Sequence, residues 1–173
     1  ARLGSMGERR ETRAEPAVAV TDLPAERAGD GPSLYPLEFL ERFGAWVGHN
    51  VGDAFGLTQF GAHVEILPPG AESSLRHWHT KSDELVLLLE GELMLVTDEG
   101  EQVMTPGMVA GFKAGVENGH HLVNRSEREA KFFVVGSRVE GDVPVYTADD
   151  FQWRREGGEV FAARKDGTRW EVK

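Results

Sequence analysis

The clearest pattern in this chain is a period of two. Between residues 57 and 67 apolar side chains recur at Phe60, Ala62, Val64 and Ile66, which predicts a strand with one buried face, closed by Pro68-Pro69-Gly70. Further short strands are predicted over 85–90, 92–97, 101–105, 108–112, 120–125 and 130–138. Turn residues separate them, among them Gly91, Asp98-Glu99-Gly100, Pro106-Gly107 and Asn118-Gly119. Many short strands with frequent turns define an all-β sandwich or barrel. Ahead of them, Leu37, Leu40 and Phe43 follow Pro36 at helical spacing, which predicts a short helix or arm over 36–56. Residues 1–35 lack periodic hydrophobicity and read as a flexible leader, and Ala1 to Ser5, ahead of Met6, read as a vector-derived remnant. The segment 141–173 carries Tyr146, Phe151, Trp153, Phe161 and Trp170, with a hairpin turn at Lys165 to Thr168. Aromatics at that density predict an extension that packs on the barrel, over 57–140, or on a second copy of the chain.

Composition narrows the picture. At 173 residues and 40% hydrophobic content the chain suits one domain with extensions. A net charge of −10 argues against nucleic acid, whose phosphates the average surface field repels. There is no cysteine, so disulfides, thiolate ligation and thiol catalysis are excluded. No apolar run approaches the roughly 20 residues of a membrane helix. A cytoplasmic protein with no membrane partner is the expectation.

The chemistry concentrates in a few residues. His77 and His79 are one residue apart, so on a strand both rings share a face, while Arg76 and Trp78 take the other. Thr80 to Asp83 is polar and predicts a turn that brings Glu84 back beside them. A later strand offers His120 or His121 as a fourth ligand; only one of the two can face inward, and His121 is the substitute. Two or three imidazoles with a carboxylate suit one divalent metal of the borderline class, Zn, Mn, Fe or Ni. His49 and His63 stand alone and read as ordinary surface or satisfied core residues. Lys113, Glu117 and Asn118 flank the hairpin before His120, and Phe60, Val64, Val86, Leu88, Phe112, Leu122 and Phe133 are candidates for the lining or core.

These motifs resemble those of the cupin superfamily. Gly70, His77-Trp78-His79, Glu84 and Gly91 stand in the order of the family's first motif, with one extra residue before the first histidine. Gly100, Pro106-Gly107, His120 and Asn124 follow the second, with a hairpin lengthened by Val116 to Gly119 and a spacing to Asn124 that favours His120. The likeness covers 57–139 and is greatest to small single-domain cupins of the sugar-phosphate-isomerase-like type. It implies a double-stranded β-helix, or jelly-roll barrel, with His77, His79, Glu84 and His120 as metal ligands and Glu84 also as a catalytic group. The implied activity is that of a non-oxidative metalloenzyme, an isomerase or lyase, acting on a small oxygen-rich organic substrate. An Fe(II)-dependent dioxygenase and a non-catalytic small-molecule-binding cupin are the alternatives. A homodimer is expected, because exposed edge strands benefit from being covered.

Overall fold

The computed structural model describes residues 17–27, 30 and 33–171, so the predicted leader and the remnant ahead of Met6 fall largely outside the described residues. The chain runs through a 3-10 turn (Val20–Asp22), β1 (Glu26–Arg27), α1 (Leu37–Phe43), β2 (Val47–Asn50), α2 (Val51–Ala54), β3 (Phe60–Leu67), β4 (His77–His79) and β5 (Glu84–Glu90). It continues with β6 (Leu93–Thr97), β7 (Gly100–Met104), β8 (Val109–Phe112), β9 (His120–Val123), β10 (Ala130–Ser137), β11 (Pro144–Tyr146), β12 (Gln152–Glu156) and β13 (Glu159–Ala163). Two antiparallel sheets face each other, ordered β1-β2-β3-β10-β5-β8 and β11-β4-β9-β6-β7. This is a jelly-roll barrel, and strands from both flanks join it: β2 pairs with β3, and β11 pairs with β4.

One end of the barrel is packed and the other is open. Leu67, Val86, Leu88, Leu93, Met104, Leu122 and Phe132 form the packed core. At the turn into β6, Gly91 takes a φ of 80°, and a Cβ there would lie 2.6 Å from the carbonyl oxygen of Glu129. Only glycine meets both demands. A second cluster unites α1 with the C-terminal segment: Phe39, Phe43, Leu75, Tyr146, Phe151 and Ala162 are buried together. Tyr35 stacks on Phe151 at 5.3 Å, and Trp153 Nε1 donates to Tyr146 Oη at 2.9 Å. The aromatic tail therefore packs on α1 and β11 of its own chain.

The alternation in β3 marks a buried face, as expected, but that face is not the one turned into the barrel. Ala62 and Val64 are buried, but α2 lies against Ala62, where a Cβ on Gly52 would come within 3.6 Å of the alanine Cβ. The face turned into the barrel carries Gly61, His63, Glu65 and Leu67. Phe60 is 39% exposed. In β10 the inward residues are Phe132, Val134 and Gly136 rather than Phe133, because a continuous apolar run carries no parity information.

Candidate metal centre

Backbone geometry assembles the centre. β4 is only three residues long, and its alternation aims His77 and His79 the same way. The loop after it delivers Glu84 as the first residue of β5, and the register of β4 with β9 sets His120 opposite His77. The candidate ligand atoms of His77, His79 and Glu84 all lie within 4.8 Å of one another. His77 Nε2 is 3.2 Å from His79 Nε2, and His79 Nε2 is 4.0 Å from Glu84 Oε2. His120 reaches the same carboxylate, with Nε2 at 3.2 Å from Glu84 Oε1. His121 turns elsewhere: its Nδ1 lies 3.1 Å from the Ser74 carbonyl oxygen and 3.6 Å from Glu72.

Hydrogen bonds behind the rings fix their direction. His77 Nδ1 lies 2.7 Å from the Leu75 carbonyl, which can only accept, so Nδ1 carries the proton and Nε2 offers its lone pair. His79 Nδ1 is held at 2.6 Å by Asp142 Oδ2. The other Asp142 oxygen accepts the backbone N–H groups of Lys81 at 2.7 Å and Ser82 at 3.2 Å. Burial opposes ionisation of Asp142, yet those N–H donors and His79 hold its carboxyl at about 2. A carboxylate bonded to the far nitrogen of a histidine is the standard way to orient that ring for a cation. Nothing in the sequence marks Asp142, which lies 63 residues beyond His79.

Electrostatics match this geometry. Burial, reinforced by His120 and His79, pushes the His77 ring down to about 4, so it is neutral at pH 7 and ready to ligate. Burial also opposes the Glu84 carboxylate, but the hydrogen bond from His120 and the neighbouring imidazoles hold its pKa below the usual range. His120 lies flat on Phe112, centroids 3.4 Å apart, and its Nδ1 is buried without a hydrogen-bond partner. Its only polar engagement among the described residues is with Glu84.

A cavity of about 310 Å³ opens in front of these residues, and its far wall includes Gly61, His63, Glu65, Gly136 and Arg138. His63, which sequence reading left as an ordinary residue, lines this cavity, whereas the His49 Nδ1 lies 3.2 Å from the Leu23 carbonyl oxygen in a buried setting. Glu65 is the second acid that sequence reasoning missed. Burial, with Glu84 and Glu26 adding repulsion, pushes its carboxyl up to about 7. Taking the polar face of β3 as the inner one would have found both. A second cavity of about 250 Å³ meets His79, Glu84 and His120 from the side of Trp78, Lys113 and Asn118. Glu117 is exposed, and Asn118 Oδ1 is engaged by the Asp98 N–H at 3.0 Å. Arg76 packs on β6, donating to the Thr97 carbonyl at 3.2 Å.

Comparison with known proteins agrees with fold and site. Residues 63–136 match the model of the cupin domain. A crystal structure of a sugar phosphate isomerase from a cupin superfamily, from Silicibacter pomeroyi, is 37% identical with a TM-score of 0.80, over 90% of this chain and 97% of that one. A structure described as a putative sugar phosphate isomerase from Acidithiobacillus ferrooxidans is 27% identical with a TM-score of 0.64, over 75% of this chain and 82% of that one. The polyketide cyclase RemF from Streptomyces resistomycificus shares the fold at 21% identity and a TM-score of 0.59, over 79% of this chain and 89% of that one. Comparison with curated proteins gives no match. This chain belongs to the cupin superfamily. No helix among the described residues is long and apolar enough to cross a membrane.

Proposed function

We propose that the chain is a metal-dependent, non-oxidative enzyme of the isomerase type, acting on a small oxygen-rich substrate in the barrel cavity. The observation that carries this reading is the convergence of His77, His79 and Glu84 within 4.8 Å, facing a cavity, with His79 aimed by Asp142. The donor set fits a borderline divalent cation: three imidazoles and a carboxylate, with no sulfur ligand. His77 Nε2, His79 Nε2, Glu84 and His120 Nε2 would hold the cation. When bound, such an ion acts as a Lewis acid that polarises a substrate carbonyl or hydroxyl. The chain's own residues supply the rest. Glu84, held ionised, serves as ligand, whereas Glu65, pushed up to about 7, holds or releases a proton at its carboxyl oxygen near neutral pH. The apolar wall of Val86, Phe112, Leu122 and Phe132 limits water around the reacting atoms. The likeness to the Silicibacter pomeroyi sugar phosphate isomerase, 37% identical over 90% of this chain, supports the isomerase type over a lyase.

The test is elemental analysis of protein purified without a metal-affinity column, alongside His79→Ala. About one divalent ion per chain is expected in the wild type, and most of it lost in a variant whose circular dichroism is unchanged. Full occupancy in His79→Ala would overturn the assignment. Turnover that persists under strict anaerobiosis with Mn or Zn separates this reading from a dioxygenase, and oxygen uptake in step with turnover would refute it.

The same reading includes a homodimer. The outward face of β5 and β8 exposes Leu85 at 42%, Leu89 at 39% and Val109 at 57%, an apolar strip on a sheet whose edge, β8, has no further strand beside it among the described residues.

A further inference from the structure

The cavity extends well beyond the histidines. Cross-strand register sets Gly61 of β3, Gly136 of β10 and Glu84 of β5 in one row. With strands about 4.8 Å apart, Gly61 lies roughly 10 Å across the sheet from the Glu84 backbone. Two of the three residues in that row have no side chain, so the floor between Glu84 and β3 is bare backbone. At its far end the side chains of His63 and Arg138 flank Gly61. A Cβ at Gly61 would lie 3.4 Å from His63 Nε2, 3.7 Å from Arg138 Nε and 3.8 Å from Arg138 Nη2.

Arg138 is held in place for this. Its Nη1 donates to the Leu57 carbonyl at 3.2 Å and its Nη2 to Asp53 Oδ1 at 2.5 Å. Those bonds leave the Nε–H side of the guanidinium turned toward Gly61. His63 makes no side-chain hydrogen bond among the described residues, although it lines the cavity. The Ser137 hydroxyl beside Arg138 accepts from the Asp83 N–H at 2.9 Å, which leaves its own proton to donate. The Arg138–Asp53 pair is 40% and 41% exposed, so its attraction is weakened by water and open to competition from a better anion.

We propose that His63, Arg138 and the space left by Gly61 form an anion subsite that seats the terminal phosphoryl group of the substrate, a phosphomonoester. An imidazole nitrogen and a guanidinium that both lie within 4 Å of one point at the cavity wall suit a tetrahedral oxyanion. The roughly 10 Å of bare floor matches a short polyol chain lying between the phosphoryl end and the oxygens near Glu84. The identification of the anion as part of a substrate rests on the function proposed above; the subsite itself stands on Gly61, His63 and Arg138.

The experiment is a calorimetric titration of the metal-free full chain with inorganic phosphate and with glycerol phosphate, using acetate and glycerol as controls. Saturable binding of both phosphates is expected, with weak or no binding of acetate and glycerol. Arg138→Gln should weaken phosphate about tenfold or more, the scale of one hydrogen bond to a charged group. Gly61→Ala keeps every charge and introduces its methyl at ordinary contact distances, so it should fold and yet bind phosphate about tenfold more weakly. No saturable phosphate binding, equal binding of acetate, or unchanged affinity in Gly61→Ala would overturn the proposal. Metal content of the same proteins reads the other site separately: phosphate binding in a chain that takes up no metal leaves this subsite standing while the metalloenzyme reading falls.

Discussion

Replacing Glu65 with glutamine offers a quantitative check on the cavity. The folded carboxyl sits at about 7 against an ordinary 4.5, because burial and the neighbouring Glu84 and Glu26 disfavour its charge. At about 1.4 kcal/mol per pH unit, that displacement makes ionisation in the folded state cost roughly 3 kcal/mol. The side chain is partly exposed to the cavity, whose water softens the penalty, so this is the upper figure. The sign follows from linkage. A group whose folded pKa is raised contributes its full stability below its unfolded value and loses that contribution as pH climbs through the folded one. The wild type should therefore weaken relative to Glu65→Gln between pH 4.5 and 7, by up to about 3 kcal/mol. Urea denaturation of both proteins in a chelator, at intervals from pH 4.5 to 8.5, measures the difference directly. Effects common to both proteins cancel. A constant offset across that range would refute the placement of Glu65 as a desolvated acid. Addition of Zn or Mn should shrink the pH-dependent difference, because a cation at Glu84 offsets one of the two repelling charges.

The other predictions concern the supports of the site. Asp142→Asn should lower metal affinity by about 10–100-fold in a chelator competition while leaving the far-ultraviolet spectrum intact, because it weakens the grip on His79 without removing a ligand. Phe151, 1% exposed at the centre of the second cluster, should cost about 3–5 kcal/mol when truncated to alanine, read as a fall in thermal midpoint. Leu89→Glu on the exposed strip of β5 should give a monomer by sedimentation equilibrium where the wild type gives a dimer; a monomeric wild type would refute the dimer.

How far the sequence speaks depends on whether a feature is local. The strand predicted over 85–90 is found as Glu84–Glu90, that over 92–97 as Leu93–Thr97, and the short helix as Leu37–Phe43, since turn glycines and periodicity lie within each segment. β2 and β11 were invisible because four and three residues show no period, and each exists by pairing with β3 or β4, far off in sequence. The convergence of His77, His79 and Glu84 was legible because one short strand and one turn produce it. Glu65 and His63 were hidden by a strand with two covered faces. Apolar spacing marked the face under α2, while the face lining the cavity is polar where a ligand would lie. Arg138 and Asp142 belong to no motif; only the closed barrel brings them to the cavity.

Asp142 has a consequence for how the protein matures. By the time residue 137 has been synthesised, every imidazole and the carboxylate that would grip a cation are already present, but the acid that aims His79 and the strand that flanks it are not. A chain halted before Asp142 would lack both supports of the His79 ring. Only the segment from Asp142 to Tyr146 supplies them, so under the metal-binding reading a fully oriented grip on the cation waits for this last part of the barrel.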